Sequence, residues 1–320
     1  MLNDYPWLEP VWTNLKTSLE LDRISGALLF HSDKDLGTEK LAEALSYTLI
    51  CQNDKSEACG FCHSCQLVQS QSHPDLHWIK PEKEGKSITV DQIRLVNRLA
   101  QESAQLNGYR VFIIAPADAM NESASNALLK TLEEPGQNCV FLLLTEHQEI
   151  LLPTIKSRCQ KWTVTSPSAQ QATDWLSQHT QNTIPAYALK LNMGSPLATL
   201  AALKEGELEA YQKFENSLID ALLSPNANLF HCASLFGQYP NKALDWAWLL
   251  LSDAQKVHFG LTVPEQLPGA VRFTSVHFDG LHRSANKLLE LKQQLHRFSG
   301  LNLELLSINW LIESREELCS

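Results

Sequence analysis

Four cysteines crowd one short stretch. Cys51 is followed, after seven intervening residues, by Cys59, and then Cys62 and Cys65 come at two-residue gaps. Thiolates are soft ligands, and four of them suit tetrahedral zinc while leaving no position for water, so such a site would be structural. The rival is an iron–sulfur cluster, because ferredoxin runs also use two-residue gaps. Their last cysteine follows three residues on and precedes proline, whereas Gln66-Leu67-Val68-Gln69 follows here. His63 and His73 read as surface or supporting residues rather than ligands. Cys139, Cys159, Cys232 and Cys319 are scattered and read as small core or surface residues.

A second stretch could hold phosphate. Ala27-Leu28-Leu29-Phe30 has the length and apolarity of a strand, His31 to Gly37 a loop, and Thr38 to Ile50 the apolar spacing of a helix. Strand, loop and helix is the setting of a P-loop, whose backbone N–H groups and lysine hold phosphates and whose hydroxyl holds magnesium. Aligned on Gly37, Ser32 takes the first glycine position, Thr38 the lysine and Glu39 the hydroxyl. The lysine is absent, and Glu39 would meet phosphate with like charge. Asp33 and Asp35 make the loop more acidic, while Lys34 and Lys40 fall off the required spacing. No ATP binding is expected.

The elements that must position these residues come from periodicity. Val111 to Ile114 and Cys139 to Thr145 are continuous apolar runs. Between them Ala124, Ala127, Leu128, Thr131 and Leu132 mark one helix face, with Asn121 or Ser123 as cap and Pro135-Gly136 as stop. Two strands apolar on both faces and joined by a helix predict a βαβ unit in a buried parallel sheet. Leu76 to Ile79 reads as a short strand. Thr89-x-x-Gln92 has the form of a capping box and starts a helix through about Glu102. Tyr5-Pro6-Trp7-Leu8 reads as an aromatic anchor on this domain. Lys80, Lys83 and Lys86 read as a solvated basic loop, and Asp118 as a cap or a solvent-facing group.

Asn126-Ala-Leu-Leu-Lys-Thr-Leu-Glu-Glu-Pro135, Thr145 and Ser157-Arg158-Cys159 together resemble the clamp-loader subunits of the AAA+ class, as does Ser87 to Arg94. The resemblance covers residues 1 to about 200 with specific motifs. It implies an α/β AAA+ domain over 1–163 (parallel sheet with flanking helices) carrying a zinc module at about 51–65. A small helical lid domain over 164–204 and an all-helical collar or oligomerisation domain over 205–320 would follow. An active member ends its acidic strand with Asp-Glu; Ala115-Pro116 stands there. The lid's Gly-Ser-x-Arg sensor reads Gly194-Ser195-Pro196-Leu197, without arginine. The family's zinc module supports Cys51, Cys59, Cys62 and Cys65 as ligands, its first gap being commonly one residue longer. The resemblance therefore implies a non-hydrolysing subunit. Arg158 is its candidate arginine finger, reaching in trans to a neighbour's ATP; the alternative is a structural arginine bonding carbonyls at the end of the domain. Its partners would be clamp-loader subunits of gamma/tau and delta type in a hetero-pentamer, with sliding clamp and primed DNA met through the complex. The rivals are an active AAA+ ATPase and a zinc-dependent DNA-binding module.

Composition is that of an ordinary globular protein. The 320 residues allow two or three domains, and 44% apolar with 19% charged residues is ordinary globular usage. No apolar run is long enough to span a membrane, and the N-terminus lacks the basic and apolar regions of a signal peptide, so a cytoplasmic protein is expected. Net charge is −10, with residues 1 to 163 holding 15 basic and 21 acidic side chains. Neither half is basic, which argues against a chain that grips DNA alone.

After Ser166-Pro167-Ser168, short helices are expected to about 203, Ala169 to Gln178 first. Helical spacing then marks Glu209 to Leu223, Ala243 to Phe259, Leu281 to Phe298 and Leu303 to Ser314, with Trp246, Trp248 and Trp310 as packing residues. No catalytic constellation is visible there.

Overall fold

The apolar runs become the middle of a parallel sheet. In a computed structural model, which describes residues 2–319 except 25, 55, 84, 107, 241, 262 and 299, the chain divides into two units, Met1–Pro167 and Ser168–Ser320. The first holds β1 (Gly26–Ser32), β2 (Leu76–Ile79), β3 (Arg110–Ile114), β4 (Cys139–Thr145) and β5 (Gln160–Val164). Its helices are α1 (Glu9–Glu20), α2 (Thr38–Ile50), α3 (His63–Gln69), α4 (Val90–Ala100), α5 (Glu122–Glu133) and α6 (Pro153–Lys156). The strands run in the order β2-β3-β4-β1-β5 and every pairing is parallel.

Both sheet faces are buried, as continuous apolar strands require. Ala27, Leu29, Phe112, Ile114, Phe141 and Leu143 pack with Ile93 and Val96 of α4 and Leu128 and Leu132 of α5. Their alternates Leu28, Phe30, Val111, Ile113, Val140 and Leu142 point to the opposite face and are equally buried. Asn121 caps α5 by accepting the Ala124 N–H at 2.8 Å. Thr89 and Gln92 close the capping box of α4. Two elements lie outside the sequence expectations: edge strand β5 and the short helix α3.

A buried ion pair was also not expected. Arg110, which opens β3, donates from Nε and Nη2 to Asp75 at 3.0 and 2.9 Å, and to the carbonyls of Leu99 and Ser103 at 2.6 and 2.9 Å. Asp75 also accepts the N–H groups of Gln105 and Leu106. Burial alone would raise the Asp75 carboxyl, but these N–H groups and the guanidinium hold it below the usual carboxylate range. The pair is satisfied on both sides, the condition under which buried charges are tolerated. It ties the 101–106 loop to the start of β3.

The second unit is helical: α7 (Ala169–His179), α8 (Ala188–Leu191), α9 (Pro196–Lys204), α10 (Glu207–Leu223), α11 (Leu229–Gln238), α12 (Ala243–His258), α13 (Phe278–Arg297) and α14 (Leu303–Cys319). α11 had no counterpart in the sequence reading. One buried cluster runs from Tyr187 to Leu318, with Trp246 and Trp310 inside it and Trp248 packed on its margin. Two buried carboxylates hold the turn after α12: Asp253 accepts the Leu267 N–H at 2.9 Å, and Glu215 accepts the Gly269 N–H at 2.9 Å and the Tyr211 hydroxyl at 2.7 Å. Lys190 pairs with Asp253, fastening α8 to α12. No described helix is long and apolar enough to cross a membrane.

Candidate functional site

The loop between β1 and α2 is closed by its own side chains. Thr38, at the position of the phosphate-binding lysine, donates its hydroxyl to Ser32 Oγ at 2.6 Å, and both residues are buried. Gly37 adopts φ 79°, a left-handed conformation suited to glycine, and delivers the chain into α2. Leu36 turns its side chain into the core, and its carbonyl accepts the Trp7 indole N–H at 2.8 Å, so the N-terminal anchor holds this loop directly.

The charges around the loop are matched as well. Glu39 lies in the first turn of α2, where the helix dipole favours an anion, and pairs with Lys80 at 3.1 Å. Lys80 Nζ also lies 4.6 Å from the Trp78 ring centroid. Lys80 is therefore a partner of the degenerate loop rather than only a solvated cation. Asp33 accepts the Ser166 hydroxyl at 2.7 Å. Where an acidic pair would follow β3, Ala115 is buried and its N–H bonds the Ile79 carbonyl at 3.0 Å. Asp118, expected as a cap or facing solvent, instead accepts the Thr145 hydroxyl at 2.6 Å. The side chains that stand where a nucleotide's ligands would be found are thus engaged with one another.

The cysteine module is arranged differently. Cys51 ends α2, Cys62 caps α3 and Cys65 lies in its first turn. Gly60 takes φ 77° in the turn between Cys59 and Cys62. The four Sγ atoms lie within 4.8 Å of one another and could hold a metal ion. A tetrahedral zinc–thiolate site with bonds of about 2.3 Å has sulfurs about 3.8 Å apart, and Cys59 and Cys65 are separated by 4.0 Å. The N–H of Cys59 donates to Cys51 Sγ, that of Cys62 to Cys59 Sγ and that of Cys65 to Cys62 Sγ, each at 3.4 Å. Such donors stabilise thiolate charge. For Cys59 and Cys62 burial raises the thiol, but the N–H donors prevail and both fall below the ordinary value. Burial pushes Cys65 up to about 12. The donor set and spacing fit a thiolate-bound ion.

His63 starts α3 and is exposed, while His73 is buried: its Nδ1 accepts the Asp75 N–H at 3.1 Å. His73 thus belongs to the Asp75 region rather than the surface. Cys139 and Cys232 are buried and Cys159 half-buried; the Cys319 side chain lies outside the described residues.

Arg158 is fixed by neighbours that only the fold brings near. Its Nε donates to Glu133 Oε1 at 2.7 Å, its Nη2 pairs with the same oxygen, and its Nη1 donates to the Thr154 carbonyl at 2.8 Å. The side chain remains 30% exposed. Glu133 is the last residue of α5, so the Asn126–Pro135 run and Ser157-Arg158-Cys159 meet at this contact. Within that run Thr131 bonds Asn97 of α4 at 2.8 Å, and Asn97 bonds the Ala127 carbonyl at 2.8 Å. Gly136 passes so close to the end of α4 that a Cβ would collide with the Ala100 carbonyl oxygen. Ala127 and Thr131 thus fasten α5 to α4, and Glu133 at its end holds Arg158.

Residues 7–168 match the family described as DNA polymerase III, delta subunit, and residues 205–316 match its C-terminal region. DNA polymerase III subunit delta' of Haemophilus influenzae is 33% identical over 315 residues, covering 96% of this chain and 95% of that protein. The protein of the same name from Escherichia coli is 34% identical, covering 96% and 94%. That of Pseudomonas aeruginosa is 39% identical over 202 residues, covering 62% and 60%.

Proposed function

This chain belongs to the family of DNA polymerase III delta-prime subunits, and from that premise we propose that it is a non-hydrolysing subunit of the clamp loader, helping to place the sliding clamp on primed DNA during replication. Its partners are the other clamp-loader subunits, of gamma/tau and delta type, in a cytoplasmic hetero-pentamer. The sheet domain (1–163) is of AAA+ type, 164–204 is the lid and 205–320 the collar through which subunits join. The chain performs no catalysis of its own; the DNA-directed DNA polymerase activity belongs to the holoenzyme. Zinc, held by Cys51, Cys59, Cys62 and Cys65, ties down the loop after α2.

The observation that carries this reading is the bond between Thr38 and Ser32. A side chain that donates inward to its own loop has no cation to offer a phosphate, and Glu39 adds repulsion. Arg158 keeps a permanent charge at an exposed edge. There it can serve a neighbouring subunit's ATP, neutralising charge that develops on the transferred phosphoryl group.

The test is direct. Calorimetric titration of the chain with ATP and magnesium gives no isotherm in the low-micromolar range, and one there would favour an active ATPase. In rebuilt complexes Arg158→Ala leaves assembly intact and slows the DNA- and clamp-stimulated ATPase, while Arg158→Lys rescues poorly. Unchanged ATPase in an assembled Arg158→Ala complex would remove Arg158 from the mechanism.

A further inference from the structure

We infer that Glu133 is a positioning residue for Arg158: its carboxylate oxygen fixes the rotation of the guanidinium so that the outer edge faces away from the chain. The inference rests on Arg158 acting in trans, as proposed above. The contact is specific in its geometry. Glu133 Oε1 takes the Nε side and one Nη2 donor, and the Thr154 carbonyl takes one Nη1 donor. A guanidinium has more N–H groups than these three bonds use. The donors left over are one on Nη1 and one on Nη2. A guanidinium can meet phosphate in a bidentate manner at either of two edges, Nε–Nη2 or Nη1–Nη2, and Glu133 occupies the first.

The supports of Glu133 are themselves fixed. α5 is fastened to α4 through Asn97 and Thr131, and Gly136 admits no side chain where the chain passes Ala100. Thr154 belongs to α6, which Ile155 anchors in the core. Ser157 donates to the same Thr154 carbonyl at 3.0 Å. The guanidinium is thus held from two elements, by Glu133 at Nε and Nη2 and by the Thr154 carbonyl at Nη1, while the side chain stays 30% exposed. An unsupported arginine has several rotatable bonds and would order them only on engaging its target, at an entropic cost.

Positioning and simple charge pairing differ in what they ask of residue 133. Positioning needs an oxygen acceptor at the reach of Glu. Glutamine keeps that oxygen and removes the charge, whereas aspartate keeps the charge and withdraws it by one methylene. The quantity to follow is the ATPase of the rebuilt complex that Arg158→Ala abolishes, the Arg158-dependent part. Glu133→Gln should retain most of it. Glu133→Asp and Glu133→Ala should each lose about tenfold, the order expected from misplacing a reacting group by about an ångström. The loss should fall on kcat with KM for ATP unchanged, since the arginine acts on charge that develops in the transition state. The double variant Glu133→Ala with Arg158→Ala should be no slower than Arg158→Ala alone.

Retention of the Arg158-dependent part in Glu133→Ala would overturn the inference while leaving Arg158 in the mechanism. So would the opposite ranking, aspartate active and glutamine inactive, or a faster enzyme with both Gln and Ala. If Arg158→Ala itself removes nothing, the reading of Arg158 fails instead, and the two failures are told apart in one series.

Discussion

The β1–α2 loop and the cysteine module adjoin opposite ends of the same helix, and they treat their polar atoms in opposite ways. In the loop the groups at ligand positions have found partners within the chain: Thr38 with Ser32, the Leu36 carbonyl with Trp7, Glu39 with Lys80. In the module four sulfurs lie within 4.8 Å of one another, and those of Cys51, Cys59 and Cys62 each accept the backbone N–H of the next cysteine. Side chains that bond each other have no need of a ligand. Thiol groups gathered at this spacing suit an ion of opposite charge, whose binding would be coupled to the fold of the loop. The same contrast sets Asp75 and Arg110, bonded to each other and to backbone groups, on the side of the loop.

The largest effect should come from removing the anchor of the closed loop. Trp7→Ala deletes both a buried aromatic and the bond to Leu36, and should cost about 3–5 kcal/mol, read as a shift of the urea midpoint. A cost within a few tenths would mean that the loop closes without it. Metal removal comes next. If the ion is present at a hundred times its Kd, its loss lowers stability by about 2.7 kcal/mol. Chelation should therefore lower the melting temperature of the wild-type chain and leave Cys65→Ser, already without its ion, unmoved. Metal analysis should find one zinc per chain, and stoichiometric iron with visible colour would replace zinc by the iron–sulfur reading.

A restored lysine tries to convert one region into the other. Thr38→Lys with Glu39→Thr rebuilds the phosphate-binding residues but forces an amine into a buried position and leaves Lys80 without its carboxylate. It should destabilise the chain by about 2 kcal/mol and still give no micromolar ATP isotherm. Tight binding by this variant would show that only the lysine had been missing.

Acid gives the smallest effect near neutrality. Asp75 is held below its ordinary range, so its contribution is complete above the unfolded value of about 3.9 and is lost as pH falls through the folded value. Burial lowers His73 and His77, so the unfolded chain takes up protons first, below about pH 6.5, and stability declines from there. Urea midpoints in chelator at pH 7, 5.5 and 3.5, chosen to bracket these ordinary values, should fall at each step, and a flat profile would contradict the shifts.

Much of this arrangement is legible in the sequence, and the reason differs by element. β3 and β4 are apolar on both faces and announce themselves. α4 is bounded by Thr89 and Gln92, whose chemistry is local. β5 escapes because it is an edge strand, largely exposed, and Gln160-Lys161-Trp162-Thr163-Val164 has no apolar run. α11 escapes although Leu229, Cys232, Ala233 and Phe236 keep helical spacing, because it is short, contains Gly237 and carries the apolar Phe230 on its exposed side. At the candidate site the cysteine spacing is local and readable. The partners of Thr38, Asp118 and Arg158 are not alike in this: Ser32 is six residues from Thr38, but Thr145 is 27 from Asp118 and Glu133 is 25 from Arg158. Arg110 and Asp75, 35 residues apart, meet only because β2 and β3 are neighbours in the sheet.

Gly136 carries a consequence for inheritance. It belongs neither to the cysteine module nor to the β1–α2 loop, yet it lets α5 end where Glu133 can reach Arg158. An alanine there would push α4 and α5 apart by its methyl group, and the lesion would be felt at Arg158, twenty-two positions along the chain. In a genetic screen, Gly136→Ala, Glu133→Ala and Arg158→Ala would fall into one phenotypic class, although Arg158 lies twenty-two positions beyond Gly136. A suppressor would then be sought at the end of α4, among changes that let Ala100 withdraw.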